Sequence, residues 1–97
     1  MPIKVNMVSK AFIIPPEGTV KVAEKNIWRV QLILTCNTNA NTLRVSDNPE
    51  GSNYGLGIPW GYYGSIVLKT TGEVWVHNAD ISNDRNVGVC EESFEKH

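Results

Sequence analysis

The chain is short of the residues that chemistry needs. It has two histidines and two cysteines, and none of them stands in a CxxC, CxxH or HExxH spacing, so redox work and a zinc site have no basis in the sequence. A GxSxG elbow, a P-loop and a dinucleotide fingerprint are also missing. Gly55-Leu56-Gly57 precedes no helical pattern and cannot cradle a phosphate at a helix N-terminus. Charge of one sign is not in excess: nine Lys and Arg stand against ten Asp and Glu, for a net charge of -1. That balance gives no general attraction to nucleic acid or to an anionic membrane. Long apolar runs are absent, none approaching the ~20 residues that cross a bilayer. The opening MPIKVNMVSKAFIIPPEG lacks the apolar core of a signal peptide, so the expectation is synthesis in a cytoplasm without export. No stretch of about ten residues carries the 3.6-residue apolar period of a helix. Neither an enzyme nor a cofactor is expected.

What the chain does have is short alternating runs separated by turn residues. Val5–Val8 and Lys10–Ile14 are apolar and end at Pro15-Pro16-Glu17-Gly18, where proline fixes φ and glycine offers the permissive position. Thr19–Ala23 alternates, with Val20 and Val22 opposite Lys21. Residues 27–36 set Trp28, Val30, Leu32, Leu34 and Cys36 on one face and Arg29, Gln31 and Thr35 on the other, with Ile33 out of phase. After the polar run 37–41, Thr42–Ser46 forms a short strand. Residues 46–64 hold five glycines, two prolines and all three tyrosines, and read as an irregular loop with one short strand around Tyr54–Ile58. Ser65–Lys69 and Glu73–Asn78 flank Thr70-Thr71-Gly72 as a hairpin. Ala79–Asp84 is a polar turn, and Asn86–Glu92 is the last strand, with Val87 and Val89 inward, Gly88 marking a bulge and Phe94 capping the core. These elements predict an all-β fold, a single antiparallel β-sandwich of seven to eight short strands, jelly-roll or Ig-like. Residues 1–14 read as an N-terminal arm or edge strand and residues 15–97 as the sandwich.

The remaining polar residues point to no reaction. Cys36 and Cys90 read as reduced, strand-borne thiols, with a disulfide between strands as the alternative. His77 shares a face with Glu73 and Trp75 and is expected at the surface or in an interface. Asp80 and Asp84 lack the regular oxygen spacing and closing glutamate of a calcium loop. Charge is uneven along the chain: residues 1–25 carry a surplus of two positive charges and residues 80–97 a surplus of three negative ones. Either both ends are simply solvated, or the ends of neighbouring copies attract. Tyr54, Trp60, Tyr62 and Tyr63 place four of the eight aromatics in one glycine-rich loop, while Trp28, Trp75 and Phe12 supply the core. The loop either caps the sandwich, anchors a protein interface or stacks on sugar rings.

In order, WRVQLILTCNTNANTLRVS, GIPWGYYGSIVLKTTGEVWVHNA and NVGVCEES resemble a group of small phage-encoded β-sandwich virion proteins. In that group a strand with R-V-x-L-x-I leads to Asn- and Gly-rich turns, a G-x-x-x-x-L-x-x-x-G-x-V-W-A hairpin and a strand ending V-x-E-E. The matching positions are Arg29, Val30, Leu32, Leu34, Asn37, Gly64, Leu68, Gly72, Val74, Trp75, Val76, Val89, Glu91 and Glu92. The match runs over residues 27–93. Residues 1–26 have no counterpart, and Trp60-Gly61-Tyr62-Tyr63 is more aromatic than the pattern. The resemblance implies a capsid decoration or cement protein, or a head-fibre component. The expected location is the virion, and the expected partners are the major capsid protein or other virion proteins and further copies of the chain, a trimer included. Nucleic acid and membrane are not expected partners. Phe12, Ile13, Ile14, Tyr54, Trp60, Tyr62 and Tyr63 are the candidate contact residues, the N-terminal segment through Ile14 acting as an arm that reaches a neighbour. The alternative function is a host-receptor or carbohydrate-binding module of a tail or head fibre.

Overall fold

A computed structural model describes residues 5–36, 43–49 and 64–94, with residues 58–60 as backbone alone. The described residues form eight strands and no helix: β1 (Val5–Ile14), β2 (Thr19–Ala23), β3 (Arg29–Cys36), β4 (Leu43–Ser46), β5 (Ile58–Trp60), β6 (Ser65–Leu68), β7 (Val74–Asn78) and β8 (Arg85–Phe94). They build two four-stranded antiparallel sheets, ordered β1-β8-β3-β6 and β2-β7-β4-β5. First pairs with last, second with seventh, third with sixth and fourth with fifth. The chain is thus one long four-strand ribbon laid against itself and rolled into two layers. That nesting is the jelly-roll order, and it sets aside the Ig-like alternative.

The core is where the alternation of both sheets converges. Ile14, Val22, Leu32, Leu34, Cys36, Leu43, Val45, Val74, Val76, Val87 and Val89 are all buried. Stiff β-branched side chains dominate this set, as suits a half-buried pleated surface. Among the described aromatics none is fully buried, and of the three expected to supply the core Phe12 packs against it from one side. Trp75 and Phe12 are half-buried, while Trp28 and Phe94 are 40% and 41% exposed.

The displacement of Trp28 has a local cause. The β3–β8 register sets Arg29 opposite Ser93 but Gln31 opposite Glu92, so one extra residue bulges out of β3 between them. A one-residue bulge reverses which side chains face in. Arg29 therefore takes the inward place and Trp28 the outward one. Gly88, where a bulge was expected, keeps regular register with Ala11 on one side and Thr35 on the other. A Cβ there would lie 2.5 Å from Thr35 Oγ1, so glycine answers a close approach rather than a bulge.

Other connections differ from expectation. Residues 69–73 are not a hairpin turn: β6 lies in the first sheet and β7 in the second, so this segment crosses between layers. In the long loop a short strand is described at Ile58–Trp60, where Pro59 is tolerated because β5 is an edge, and residues 54–57 of the expected Tyr54–Ile58 strand lie outside the described residues. In the turn after β1, Gly18 N–H donates to Pro15 O at 2.9 Å. The left-handed residue is Glu17, at φ 57°, not the glycine. Val5–Ile14 is one continuous strand, paired with β8 at all ten positions. The basic N-terminal and acidic C-terminal strands accordingly lie side by side in one sheet. Residues 37–41, the polar run, fall outside the described residues. Cys36 is buried while Cys90 is half-buried and pairs with Ile33. By strand parity the two thiols point to opposite faces of one sheet, which excludes a disulfide between them.

Candidate functional site

The flank between β1 and β2 is where the sandwich is open. β1 and β8 are ten residues long, whereas β2 has five, so the second sheet covers only one end of β1's inner face. Along that face Ile14 is fully buried, Phe12 is half-buried, and Lys10 and Val8 are exposed. The result is a cleft of about 540 Å³ with Val22, Leu32 and Val89 at its floor. Lys10, Lys21, Lys25, Glu24 and Glu91 stand at its rim.

Most of the rim charge is already held. Lys21 Nζ lies 2.9 Å from Glu24 and 3.6 Å from Glu73, and 5.7 Å from the centre of the Trp75 ring. The hydrogen bond that Lys21 donates to the Glu24 carboxylate holds the ammonium pKa above its ordinary value. Glu91 accepts from Arg29 Nε at 2.7 Å. The Arg29 side chain has no exposed surface. Its Nη1 donates to Thr70 O and Gly72 O, both at 2.9 Å, and Nη2 donates to Glu24 O. One guanidinium thus ties the β2–β3 turn, the crossing between layers and β8 together. Asn26 adds to the same knot: its N–H donates to Thr71 O and its side chain to Ser93 Oγ.

A second polar knot closes the opposite end. Asn78 is fully buried, in phase with Val74 and Val76. Its Nδ2 donates to Ile14 O and Asn83 O, and its Oδ1 accepts from Asp80 N–H. Asp80 in turn accepts from the N–H groups of Ser82 and Asn83 and pairs with Arg85. These bonds make the turn around Asp80 a self-satisfied loop, and among the described residues no cluster of metal-ligating groups occurs. The backbone N–H of Ser82 is the chief reason the Asp80 carboxyl sits below its ordinary 3.8. Because the folded value is the depressed one, this stabilisation is complete above the ordinary value and is lost as pH falls through the folded one. The melting-temperature gap between the parent and Asp80→Asn is therefore expected to shrink as pH is lowered from about 5 to about 2. A constant gap across a thermal-melt series would remove Asp80 from acid sensitivity.

The candidate contact residues separate. Ile13 is 65% exposed on the outer face of the first sheet, Phe12 lines the cleft, and Ile14 is core, with no surface left for a partner. Trp60 is placed by backbone alone in β5. Tyr54, Tyr62 and Tyr63, and with them the aromatic loop, lie outside the described residues. His77 shares a hydrogen bond of 2.8 Å between Nδ1 and Thr19 Oγ1 and is half-buried.

What sequence reading missed is an apolar surface. By register, the outer face of the β1-β8-β3-β6 sheet carries Val5, Met7 and Ile13 from β1, Cys90 and Phe94 from β8, Ile33 from β3 and Val67 from β6. Met7 is 63% and Val67 50% exposed. Between them stand the short residues Ser9, Ala11, Gly88, Thr35 and Ser65, together with Asn86 beside Ile13 and the hydrogen-bonded pair Gln31–Glu92 beside Met7. Ile33, out of phase with the core, was the signal that the alternation of β3 offered. No known family, curated protein or solved structure matches the chain.

Proposed function

We propose that the chain is a non-enzymatic phage virion protein that decorates a capsid, binding the outer surface of the shell and bridging its subunits. The observation that carries this is the set of exposed apolar side chains on the outer face of the first sheet, Val5, Met7, Ile13, Val67 and Phe94, which flank the polar pair Gln31–Glu92. An antiparallel sheet with one face on the core normally presents a polar face to water, and large apolar side chains gathered in excess on an exposed face mark an interaction site. The order of strands and turns that resembles small virion proteins supports the same reading. Each contact adds little, but many copies on a symmetric lattice act together as a multivalent clamp. The major capsid protein is the partner, and the virion is where the protein resides.

The test is co-sedimentation with undecorated capsids, beside a glycan-binding screen. Ile13→Glu with Val67→Glu is expected to weaken capsid binding about tenfold or more, in line with ~2 kcal/mol for a buried anchor, without lowering the melting temperature. A parent chain that binds glycans and no capsid would replace this proposal with a receptor-binding one.

A further inference from the structure

The four sheet edges are not alike. A bare edge is a template for another strand, and proteins blunt edges by shortness, proline, charge or bulges. β5 has three residues and contains Pro59; β6 has four. β2 has five, with a register shift between Lys21 and Ala23 and a lysine at its centre. β1 has only one of these devices, a single charge. It is ten residues long, runs in unbroken register, lacks proline and carries one charge, Lys10. Its residues from Val5 to Ala11 are all exposed, and among the described residues nothing pairs with its outer edge.

We infer that β1 pairs antiparallel with β1 of a second copy across a two-fold axis, joining two sheets into one of eight strands. Symmetry, charge and overlap together select the register. A two-fold axis perpendicular to the sheet keeps both outer faces on one side, so outward residues must oppose outward residues. Setting Lys10 opposite the partner's Lys10 would place like charges face to face. Of the registers that remain, the one centred on Ser9 keeps the longest overlap of β1, setting Ser9 opposite the partner's Ser9, Met7 opposite the partner's Ala11 and Val5 opposite the partner's Ile13. On the inner face it sets Val8 opposite the partner's Lys10. Val8 is itself paired with Glu91, so that lysine enters a row ending in a carboxylate, and its stem covers Val8 at the mouth of the cleft. The outer faces of the two copies, with Val5, Met7 and Ile13 of each, become continuous across the axis. This inference does not depend on the virion reading.

Sedimentation velocity over a wide range of concentration tests it, with thermal melts confirming that each variant folds. The parent is expected to dimerise. Met7→Lys with Ala11→Lys sets lysine against lysine at both symmetric positions, and should weaken dimerisation about tenfold or more. Met7→Lys with Ala11→Glu sets opposite charges there and should restore it. A parent that stays monomeric overturns the inference, as does a pair of variants that dimerise equally well. Capsid co-sedimentation, measured separately, shows whether the virion reading stands or falls independently.

Discussion

Replacing Arg29 by Met lowers the free energy of unfolding by about 3 kcal/mol, the low end of the cost of stranding one member of a buried ion pair. Four acceptors lose their donor at once: the Glu91 carboxylate and the carbonyls of Glu24, Thr70 and Gly72. The low end is appropriate because the Glu91 side chain keeps 28% of its surface, so water recovers part of the lost solvation. Arg29→Lys is expected to recover only part of the deficit, since a single ammonium cannot reproduce a planar fork that serves acceptors from three segments. Arg29→Met combined with Glu91→Met removes the stranded charge as well. The double variant should be less destabilised than the sum of the singles by about 1–2 kcal/mol. Urea unfolding of the four proteins completes the cycle. A loss below about 1 kcal/mol for Arg29→Met would mean that the knot is ornamental and that packing alone holds this end.

The position of Arg29 shows where sequence reading succeeds and where it stops. Alternation through Leu32, Leu34 and Cys36, through Val74 and Val76, and through Val87 and Val89 locates the strands and their inner faces, because a period of two is a local property. The bulge before Gln31 is not local. It depends on how β3 registers with β8, sixty residues away in sequence, and it exchanges Trp28 for Arg29. The same limit explains residues 69–73. Two strands around a Gly-containing turn look like a hairpin, but β6 finds its partner in β3 and β7 finds its partners in β2 and β4. The apolar outer face was half-legible. Ile33, Val67 and, in β1, Val5, Met7 and Ile13 are visible as apolar residues out of phase with the core, but only the shared register brings them onto one surface. Asn78 carried the clearest unused signal: a polar residue at the third inward position of a strand whose first two are valines is either a fault or a structural hub.

Replacing Asn78 by Asp, a change of nearly identical shape, is expected to cost about 4 kcal/mol at neutral pH, combining lost hydrogen bonds with an unpaired charge in a dry site. The Nδ2 group donates to Ile14 O at 3.1 Å and to Asn83 O at 2.8 Å. A carboxylate donates nothing and would face both carbonyl oxygens, with the Asp80 N–H at 3.0 Å as its one remaining partner. These three bonds fasten the end of β1, the end of β7 and the turn before β8, so the loss falls where the ribbon closes on itself. The introduced carboxyl, desolvated and beside two carbonyl dipoles, has a higher pKa folded than unfolded. Its penalty is therefore greatest above that folded value and diminishes as pH falls and the group takes up a proton. Asn78→Ala loses the same bonds without a buried charge, and should cost about 2–3 kcal/mol with no such pH dependence of its own. Denaturant melts of both variants and the parent between neutral and mildly acidic pH separate the two effects. If Asn78→Asp unfolds at the parent's midpoint at neutral pH, the amide is not the hub that these distances describe.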